Sequence, residues 1–409
     1  MECVFTGDIG TSNIKTALVA PDGSIFKLKI FPLSGNRKPS AWVKIIQEAL
    51  NESEAYLLQN KKKLVAICIS GNGPSLVSVS QKEGFEDKLF LWNEKINEEN
   101  WSDREQELFK KIAASGSIFL PRIFTFAKKY PKDFFGARYL FSLPEYLSYK
   151  LCGTAATFLP ELRYKSAYWS RKTITDIFSS ADSAVPEGFA RQALTILPEF
   201  VPSASLLGTY KNIPLIAGAP DFFAALLGTK TISPFAACDR AGTSEGLNLC
   251  VAEKPSARET TLQGLRLLPS VLPKHWNIAS LLGETGKFSA KVGSKKSVRE
   301  IRESFSDDRQ FSHFAFQFKN AIGTLEKKAG KKLDFVLTGG QAENNIWNQF
   351  KAELSGRRFF LAQTTACELL GDAALAFCAL GFFSTPVQAC NQLVKITEVF
   401  EPSAIVPHC

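Results

Sequence analysis

A short motif occurs twice in this chain, and the repeat constrains the fold more than any other feature of the sequence. Residues 8–12 read Asp-Ile-Gly-Thr-Ser and residues 239–244 read Asp-Arg-Ala-Gly-Thr-Ser, which places Gly10 and Gly242 232 positions apart (242 − 10). Each copy follows one apolar stretch and precedes another, as in a strand, a tight glycine turn and a second strand. A single match of this length can arise by chance. The similar flanks favour two related lobes, each carrying a Gly-Thr-Ser turn.

The length agrees with two lobes. The chain has 409 residues, which suits two to three domains of about 150 residues each. Its 45% hydrophobic and 22% charged residues supply a large core without disulfides, which excludes a small disulfide scaffold and a disordered chain. We place the boundary near residue 215 and predict an N-terminal lobe, 1–215, and a C-terminal lobe, 216–409.

The sequence predicts a soluble, cytoplasmic protein without a membrane partner. Apolar runs are shorter than the roughly 18 residues that a membrane helix needs, and the most apolar stretch, 367–383, contains Glu368 and Asp372. The first residues have no basic leader before an apolar segment, so we expect no secretory signal. Nine cysteines without a C-x-x-C pair indicate reduced thiols.

Histidine content and charge distribution exclude further classes. Three histidines leave little for a zinc site or a histidine-based triad, which disfavours metalloproteases and serine hydrolases. The net charge of +9 is spread in lysine pairs along the whole chain, a pattern typical of solvated faces, so we expect no nucleic-acid partner. A site for an acidic small molecule stays compatible with this charge.

Local patterns alternate between strand and helix, which indicates an α/β fold. Residues 40–58 are predicted to be a helix that Ser40 caps, because Trp42, Ile45, Ile46 and Ala49 fall on one helical face. The region 179–205, rich in proline and serine, is predicted to be connecting surface. The other predicted elements are strands at 3–5, 14–20, 64–69, 76–79, 213–217 and 335–337 and a helix at 222–227 that Gly228 closes.

The two Gly-Thr-Ser turns are candidate phosphate sites. Glycine lets the backbone approach an anion, consecutive N–H groups converge, and two hydroxyls add donors. Asp8, at the end of the first strand, would place a carboxylate near those phosphates, where it could hold hydrated Mg²⁺. Taken alone, each turn is equally compatible with an ordinary structural hairpin, and Asp8 with a turn residue at a strand end.

A third glycine loop lies between a strand and a helix. Gly339 and Gly340 follow the strand 335–337 and precede a helix with Ile346 and Phe350 on its apolar face. Such a pair lets a flat ring or a phosphate lie against bare backbone, at a helix N-terminus that favours anions. The spacing matches neither the dinucleotide-binding fingerprint nor the P-loop, so both are disfavoured.

Taken together and in order, these motifs resemble the FGGY carbohydrate kinases, which include xylulokinase, gluconokinase and glycerol kinase. The resemblance covers residues 2 to about 381. The segments that carry it are 8–12 with Lys15, Glu145-Tyr146-Leu147 with 149–153, Ala217-Gly218-Ala219-Pro220-Asp221, Gly242-Thr243-Ser244-Glu245, Gly339-Gly340-Gln341-Ala342-Glu343-Asn344, and 368–374.

The resemblance implies an α/β fold of two ribonuclease-H-like lobes of the actin/hexokinase ATPase type, with an ATP/sugar cleft between them. It implies ATP-dependent phosphorylation of a hydroxyl of a small sugar, ketose or polyol, as in xylulokinase, with ATP and Mg²⁺ as cofactors. It is compatible with a homodimer.

The resemblance also assigns roles to individual residues. It makes Asp221 the catalytic base and Asp8 the magnesium ligand. The residues predicted to bind the nucleotide are Thr11, Ser12, Lys15, Gly242, Thr243, Gly339, Gly340 and Asn344. Plainer interpretations stay open for three residues: Asp221 as a helix N-cap, Lys15 as an exposed hairpin lysine, and Asn344 as a helix cap.

The predicted sugar side departs from the family. Where relatives carry Q-M-H-G or Q-R-E-T, this chain has Asn72-Gly73-Pro74-Ser75, and the W-x-D-x-R stretch keeps only its tryptophan, Trp92. The residues predicted to bind the substrate are Asn72, Gly73, Trp92, Asp221 and Phe222. This departure keeps open a catalytically degenerate, nucleotide-binding regulator or scaffold. A chaperone-like or actin-like ATPase is disfavoured, because 145–153 and 218–221 are similar to sugar kinases.

Overall fold

The computed structural model describes residues 1–33, 38–82, 84–96, 98–178, 185, 187–283, 285–293 and 297–403. The chain divides into two compact units, Met1–Phe222 with Leu375–Phe382, and Phe223–Ala374 with Phe383–Cys409. The lobes predicted from sequence, divided near residue 215, stay a prediction. Among the described residues, every helix is too short or too polar to cross a lipid bilayer.

The first unit is built on a mixed sheet. Its described strands are β1 (Glu2–Ile9), β2 (Asn13–Val19), β3 (Ile25–Pro32), β4 (Lys63–Gly71), β5 (Leu76–Ser80), β6 (Lys88–Phe90), β7 (Ala137–Ser142), β8 (Thr157–Leu159), β9 (Phe200–Pro202), β10 (Leu206–Tyr210) and β11 (Ile213–Ile216). Six of them form a sheet in the order β10-β11-β4-β1-β2-β3. Hairpin partners β1 and β2 are antiparallel, whereas β4 is parallel to both β1 and β11. The smaller sheets are β6-β5-β7 and β8-β9.

Helices cover the first unit's sheets and bury their apolar faces. They are α1 (Pro39–Gln59), α2 (Asp103–Ala114), α3 (Leu120–Lys129), α4 (Pro131–Phe135), α5 (Leu143–Cys152), α6 (Arg171–Phe178) and α7 (Phe189–Ile196). Trp42, Ile46 and Ala49 of α1 are buried in the core of this unit, which confirms the predicted helix. The prediction that Ser40 caps α1 is wrong. The N-cap is Lys38, without a side-chain bond, because Pro39 occupies the first turn.

The prediction that 179–205 is connecting surface is wrong in its second half. Helix α7 buries Phe189, Ala193 and Ile196, and β9 pairs in parallel with β8. Spacing at i, i+4 and i+7 is a helical signal that the many proline and serine residues obscured. Residues 179–184 and 186 lie outside the described residues.

The second unit repeats the hairpin at the start of its sheet. Its strands are β12 (Ala237–Ala241), β13 (Glu245–Val251), β14 (Leu265–Pro269), β15 (Trp276–Gly283), β16 (Phe335–Thr338), β17 (Phe359–Ala362) and β18 (Ile396–Phe400). The sheet order is β14-β15-β13-β12-β16-β17-β18. Strands β12 and β13 are antiparallel and β12 is parallel to β16. The second Gly-Thr-Ser turn therefore connects two hairpin strands, as the first turn does.

The division between the units falls inside α8 (Asp221–Gly228), between Phe222 and Phe223. The other helices that follow are α9 (Ala257–Leu262), α10 (Gly286–Val292), α11 (Val298–Ser304), α12 (Arg309–Ala329), α13 (Asn345–Ser355), α14 (Cys367–Ala379) and α15 (Pro386–Leu393). A core rich in phenylalanine joins α10, α12 and α13 to the second sheet. It includes Phe311, Phe314 and Trp347, whose rings lie 5.5 to 6.3 Å apart.

Candidate active site

Predicted site residues gather at one edge of the first sheet. Strands β1, β4 and β11 run parallel, and Asp8 lies opposite Ser70 near the carboxyl ends of the first two strands. A bridge between Gly71 and Pro220 continues the pairing to the residue before Asp221. Open α/β sheets bind ligands outside the carboxyl ends of their strands. Pairing thus brings Asp8, the predicted magnesium ligand, and Asp221, the predicted catalytic base, to a common edge.

The segment that leads to Asp221 requires glycine at position 218. A Cβ atom on Gly218 would lie 1.9 Å from the carbonyl oxygen of Ile69 on β4. Any larger residue would therefore push this segment away from β4. The close contact fixes the chain three residues before Asp221, so Gly218 has a positioning role that fits the Gly-Ala-Pro-Asp sequence.

Asp8 has a cationic neighbour on the adjacent strand. Its register partner in the first hairpin is Lys15, and Lys15 Nζ lies 3.5 Å from Asp8 Oδ2, with the two side chains 18% and 7% exposed. Lys15 is therefore not the freely exposed hairpin lysine of the plainer interpretation. The pair places one positive and one negative group directly beside the first Gly-Thr-Ser turn.

Thr11 links the first turn to two predicted substrate residues. Its Oγ1 accepts hydrogen bonds from Asn72 Nδ2 at 2.8 Å and from Trp92 Nε1 at 2.7 Å. Ser75 closes a ring. Its Oγ donates to Asn72 Oδ1 at 2.8 Å and accepts the backbone N–H of Trp92 at 3.0 Å. With two bonds accepted, the Thr11 hydroxyl has its own proton left to donate. We call Thr11, Asn72, Ser75 and Trp92 the threonine ring.

Both Gly-Thr-Ser turns are closed by a hydrogen bond from the glycine N–H, which reaches three residues ahead in the first turn and two residues ahead in the second. In the first, Gly10 N–H donates to Asn13 C=O at 3.0 Å, and in the second, Gly242 N–H donates to Ser244 C=O at 2.9 Å. Across the part of the chain that the structure describes, the N–H groups of the Thr-Ser pairs 11–12 and 243–244 donate to no protein acceptor. Consecutive amides of this kind form anion-binding concavities.

Asp221 is the first residue of α8, and Phe222 follows it. Asp221 Oδ1 accepts the backbone N–H of Phe222 at 2.5 Å, so the carboxylate is held against the start of the helix. Both residues are half-buried. A helix N-terminus stabilises a negative charge. The catalytic interpretation and the N-cap interpretation of Asp221 both stay predictions.

Aromatic side chains close over Gly73. A Cβ on Gly73 would lie 3.1 Å from Phe119 Cζ, and the Phe119 ring stacks on Tyr168 with centroids 4.6 Å apart. Burial raises the pKa of the Tyr168 hydroxyl, and the charges of Glu145 and Asp221 raise it further. The two rings line a small cavity together with Gly73, Glu145 and Pro220. Within the predicted substrate segment, Gly73 is therefore bordered by aromatic side chains.

Glu145 is a buried carboxyl group in this cavity. Its Oε2 accepts the Ser142 N–H at 2.7 Å and its Oε1 accepts the Phe158 N–H at 2.8 Å. Burial raises the pKa of Glu145 to about 7, although the backbone hydrogen bonds oppose the shift. Ser142-x-x-Glu145 forms the capping box of α5. The Ser-x-x-Glu spacing is a sequence signal for this capping role of Glu145.

In the second unit, the third glycine loop lies against the second turn. Gly339 has φ of +97°, and a Cβ there would lie 2.5 Å from the carbonyl oxygen of Ala241. Gln341 Nε2 donates to the carbonyl of Gly242 at 2.8 Å. A Cβ on Gly340 would meet no atom within 4 Å, so open space lies beside this residue. The structure thus brings together Gly242, Gly339 and Gly340.

Asn344 caps helix α13. Its Oδ1 accepts the N–H of Trp347 at 3.0 Å, which is the plainer of the two interpretations from sequence. Its predicted place beside adenosine stays a prediction, as do the nucleotide roles of Ser12 and Thr243. Ser12 is exposed, and its carbonyl accepts the Leu33 N–H at 2.8 Å.

Sequence reasoning missed a buried ionic cluster beneath the second turn. Lys351 Nζ lies 2.7 Å from Asp239 Oδ2 and 2.8 Å from Glu245 Oε1, and all three side chains have no exposed surface. One signal was available: Lys351 follows Trp347 by four residues and so shares the apolar face of α13. A lysine on such a face needs a buried partner.

Comparison with known proteins identifies the C-terminal part of this chain. Residues 311–380 match the C-terminal domain of the FGGY family of carbohydrate kinases. Within this segment, the chain is similar to the FGGY family. The matched segment includes most of α12, the third glycine loop and α13.

Curated relatives match this chain over a limited stretch. A glycerol kinase of Pseudomonas savastanoi pv. phaseolicola (strain 1448A / Race 6) is 33% identical over 95 residues, which are 23% of this chain and 19% of the relative. A glycerol kinase of Dechloromonas aromatica (strain RCB) is 36% identical over 90 residues, 22% of this chain and 18% of that protein. The chain thus spans about a fifth of the length of the curated relatives it matches.

Solved structures show the fold over nearly the whole chain. A Plasmodium falciparum glycerol kinase with ADP has a TM-score of 0.72 at 15% identity. A gluconate kinase from Lactobacillus acidophilus has a TM-score of 0.71 at 14% identity. Each covers 98% of this chain and 94% of the other. The predicted α/β fold class, with two lobes of the actin/hexokinase type, is confirmed.

Proposed function

We propose that this protein is a carbohydrate kinase of the FGGY type and phosphorylates a hydroxyl of a small sugar, ketose or polyol with ATP and Mg²⁺. The observation that carries the proposal is the edge of the first sheet, where strand pairing gathers Asp8, Thr11, Asn72 and Asp221. The names of the relatives support the substrate class, because they are glycerol, xylulose and gluconate kinases.

Phosphate binding is assigned to the backbone amides and hydroxyls of the two turns. Phosphoryl transfer is catalysed mainly by positioning and by neutralising charge on the phosphate oxygens. Amides 11–12 and 243–244 have no protein acceptor among the described residues. In the first unit, Lys15 supplies a positive charge, and the Thr11 hydroxyl donates its remaining proton. In the second unit, the open backbone at Gly340 leaves room for a flat adenine ring, and Gly339 and Asn344 complete the proposed nucleotide residues.

We assign Asp221 to the part of the site that binds the acceptor substrate. Its carboxylate at the start of α8 would orient the acceptor hydroxyl and accept its proton late in the transfer. Trp92, whose indole N–H is bound to Thr11, would form one wall for the acceptor. Asn72, Gly73 and Phe222 are the other proposed substrate residues.

The residues present fit a magnesium ion that arrives with ATP. Asp8 offers a hard carboxylate oxygen at a strand end, and no group of three or more His, Cys, Asp or Glu side chains suited to a metal occurs in the described part of the chain. Mg²⁺ commonly uses one or two carboxylates and takes its other ligands from water and phosphates. When bound, it would neutralise charge on the phosphates.

The threonine ring and the Phe119 contact favour one alternative, a nucleotide-binding regulator or scaffold without kinase activity. Asn72 already uses its amide to bind Thr11 and its carbonyl to accept from Ser75, and Phe119 covers Gly73. Little polar surface is therefore left for sugar hydroxyls. This alternative predicts ATP binding without acceptor-stimulated turnover.

One assay separates the two functions. The protein is incubated with ATP, Mg²⁺ and single acceptors from a panel of glycerol, pentuloses, hexuloses and aldonates, and ADP formation is followed. We expect acceptor-dependent turnover that Asp221→Asn lowers by ~10²–10⁴, the range for a general base. The matched control, Asp103→Asn, changes an exposed aspartate in the first turn of α2 and leaves turnover unchanged. ATP binding without turnover on any acceptor would instead support the regulator.

A further inference from the structure

The buried ionic cluster lies directly under the second Gly-Thr-Ser turn. Asp239 is on β12 and Glu245 begins β13, so the turn is the connection between these two residues. Lys351 reaches both carboxylates from α13, at 2.7 and 2.8 Å. One ammonium group therefore holds the two strand ends from which the turn projects.

A hydrogen-bond chain extends from this cluster to both glycine loops. Thr285 Oγ1 donates to Glu245 Oε2 at 2.5 Å and accepts from Gln341 Nε2 at 2.8 Å. Gln341 Nε2 also donates to the carbonyl of Gly242. The carbonyl of Thr243 is held as well, because Gly286 N–H donates to it at 3.2 Å. With Ser244, whose carbonyl accepts the Gly242 N–H, all three carbonyls of the turn are bound by protein donors, while the amides of 243–244 have no protein acceptor among the described residues.

The cluster is costly to bury, which argues against a role in stability alone. Desolvating two carboxylates and an ammonium costs several kcal/mol for each ion, and well-packed apolar residues are often as stable. Burial and the neighbouring charge of Glu245 raise the pKa of Asp239, against the opposing effect of Lys351. Such an arrangement defines one geometry better than an apolar contact does, because each bond has a fixed length and direction.

We propose that Lys351 is a positioning residue for ATP: it holds the 242–244 turn and, through Glu245, Thr285 and Gln341, the Gly339–Gly340 loop in the arrangement that receives the nucleotide. This inference rests on the proposed function, which assigns these loops to ATP. It gives Lys351 no contact with ATP and no part in the transfer itself.

The test is ATP binding by calorimetry, with Mg²⁺, to the full chain and to Lys351→Met. We expect the Kd for ATP to rise at least tenfold and hydrogen exchange at 243–244 to become faster, while the KM for an accepted sugar or polyol stays within twofold. Lys319→Met is the matched control, since Lys319 is exposed on the neighbouring helix α12. A folded Lys351→Met protein that binds ATP as tightly as the wild type overturns the inference.

Two further variants keep the test decisive if Lys351→Met fails to fold. The neutral triple variant Asp239→Asn, Glu245→Gln, Lys351→Met leaves no unpaired buried charge, and we expect it to fold and still bind ATP at least tenfold more weakly. Thr285→Val leaves the ion pairs intact but cuts the chain to Gln341, and it should also weaken ATP binding. Wild-type affinity in the triple variant means that the cluster is only structural. Absence of ATP binding by the wild type overturns the proposed function itself.

Discussion

Replacing Thr11 by valine tests the threonine ring and the first phosphate turn together. Valine has the shape of threonine without the hydroxyl, so the change removes one oxygen that accepts from both Asn72 and Trp92. It also removes the proton that Thr11 has left for a phosphate oxygen. Thr11→Ser is the matched control, because serine keeps the hydroxyl and loses only a methyl group.

The expected loss of stability follows from the burial of the two donors. Asn72 is 6% exposed, so its Nδ2 group is left buried without its acceptor, at a cost of about 1–3 kcal/mol. Trp92 is 42% exposed, so its indole N–H can turn to water and the cost is under about 1 kcal/mol. We therefore expect Thr11→Val to lower the free energy of unfolding by about 2–3 kcal/mol, and Thr11→Ser by less than about 1 kcal/mol.

Urea denaturation followed by tryptophan fluorescence measures these differences in unfolding free energy. ATP calorimetry measures the effect of losing the Thr11 proton on phosphate binding. A hydrogen bond to a charged group contributes about 1.5–3 kcal/mol, so Thr11→Val should weaken ATP binding by roughly 10- to 100-fold. Unfolding free energies for wild type and Thr11→Val within about 0.5 kcal/mol of each other would refute the ring. An unchanged Kd for ATP would refute the role of the Thr11 hydroxyl in phosphate binding.

Three further changes test other parts of the structure. Gly218→Ala forces a Cβ against the carbonyl oxygen of Ile69. We expect the unfolding free energy to fall by more than about 2 kcal/mol and the acceptor-dependent kcat to be lower. A variant as stable as wild type contradicts the close contact. The pKa of Glu145 is raised to about 7 in the folded protein, so the folded state holds this proton up to a higher pH than the unfolded state does. The free energy of unfolding therefore falls as pH rises from about 4.5 to 7, by roughly 3 kcal/mol. The difference between wild type and Glu145→Gln across this pH range isolates the effect, and a constant difference argues against it. Asn344→Ala removes the cap of α13 and should cost about 1 kcal/mol; an additional loss of ADP affinity measured by calorimetry would support the predicted place of Asn344 beside adenosine, and an unchanged affinity would leave capping as its role.

Local sequence patterns determined the elements that carry the site. The Gly-Thr-Ser turns are flanked by alternating apolar residues, and both copies form β-hairpins. Helix α1 and the strand before Gly339 followed from periodicity in the same way. These signals are readable because turn geometry and amphipathic faces depend on residues within a few positions of one another. The order of the motifs indicated a resemblance to the FGGY kinases and predicted the fold class.

Tertiary structure alone decided how these elements work together. Thr11 meets Asn72 and Trp92 across 61 and 81 residues, and Lys351 meets Asp239 across 112. Pairings over such separations depend on strand order and on which helix packs beneath which turn, and no local pattern specifies either. The sequence could identify Lys351 only as a charge on an apolar face. Its two partners, Asp239 and Glu245, depend on the packing of α13 against the hairpin of β12 and β13, which buries the Lys351 ammonium away from solvent.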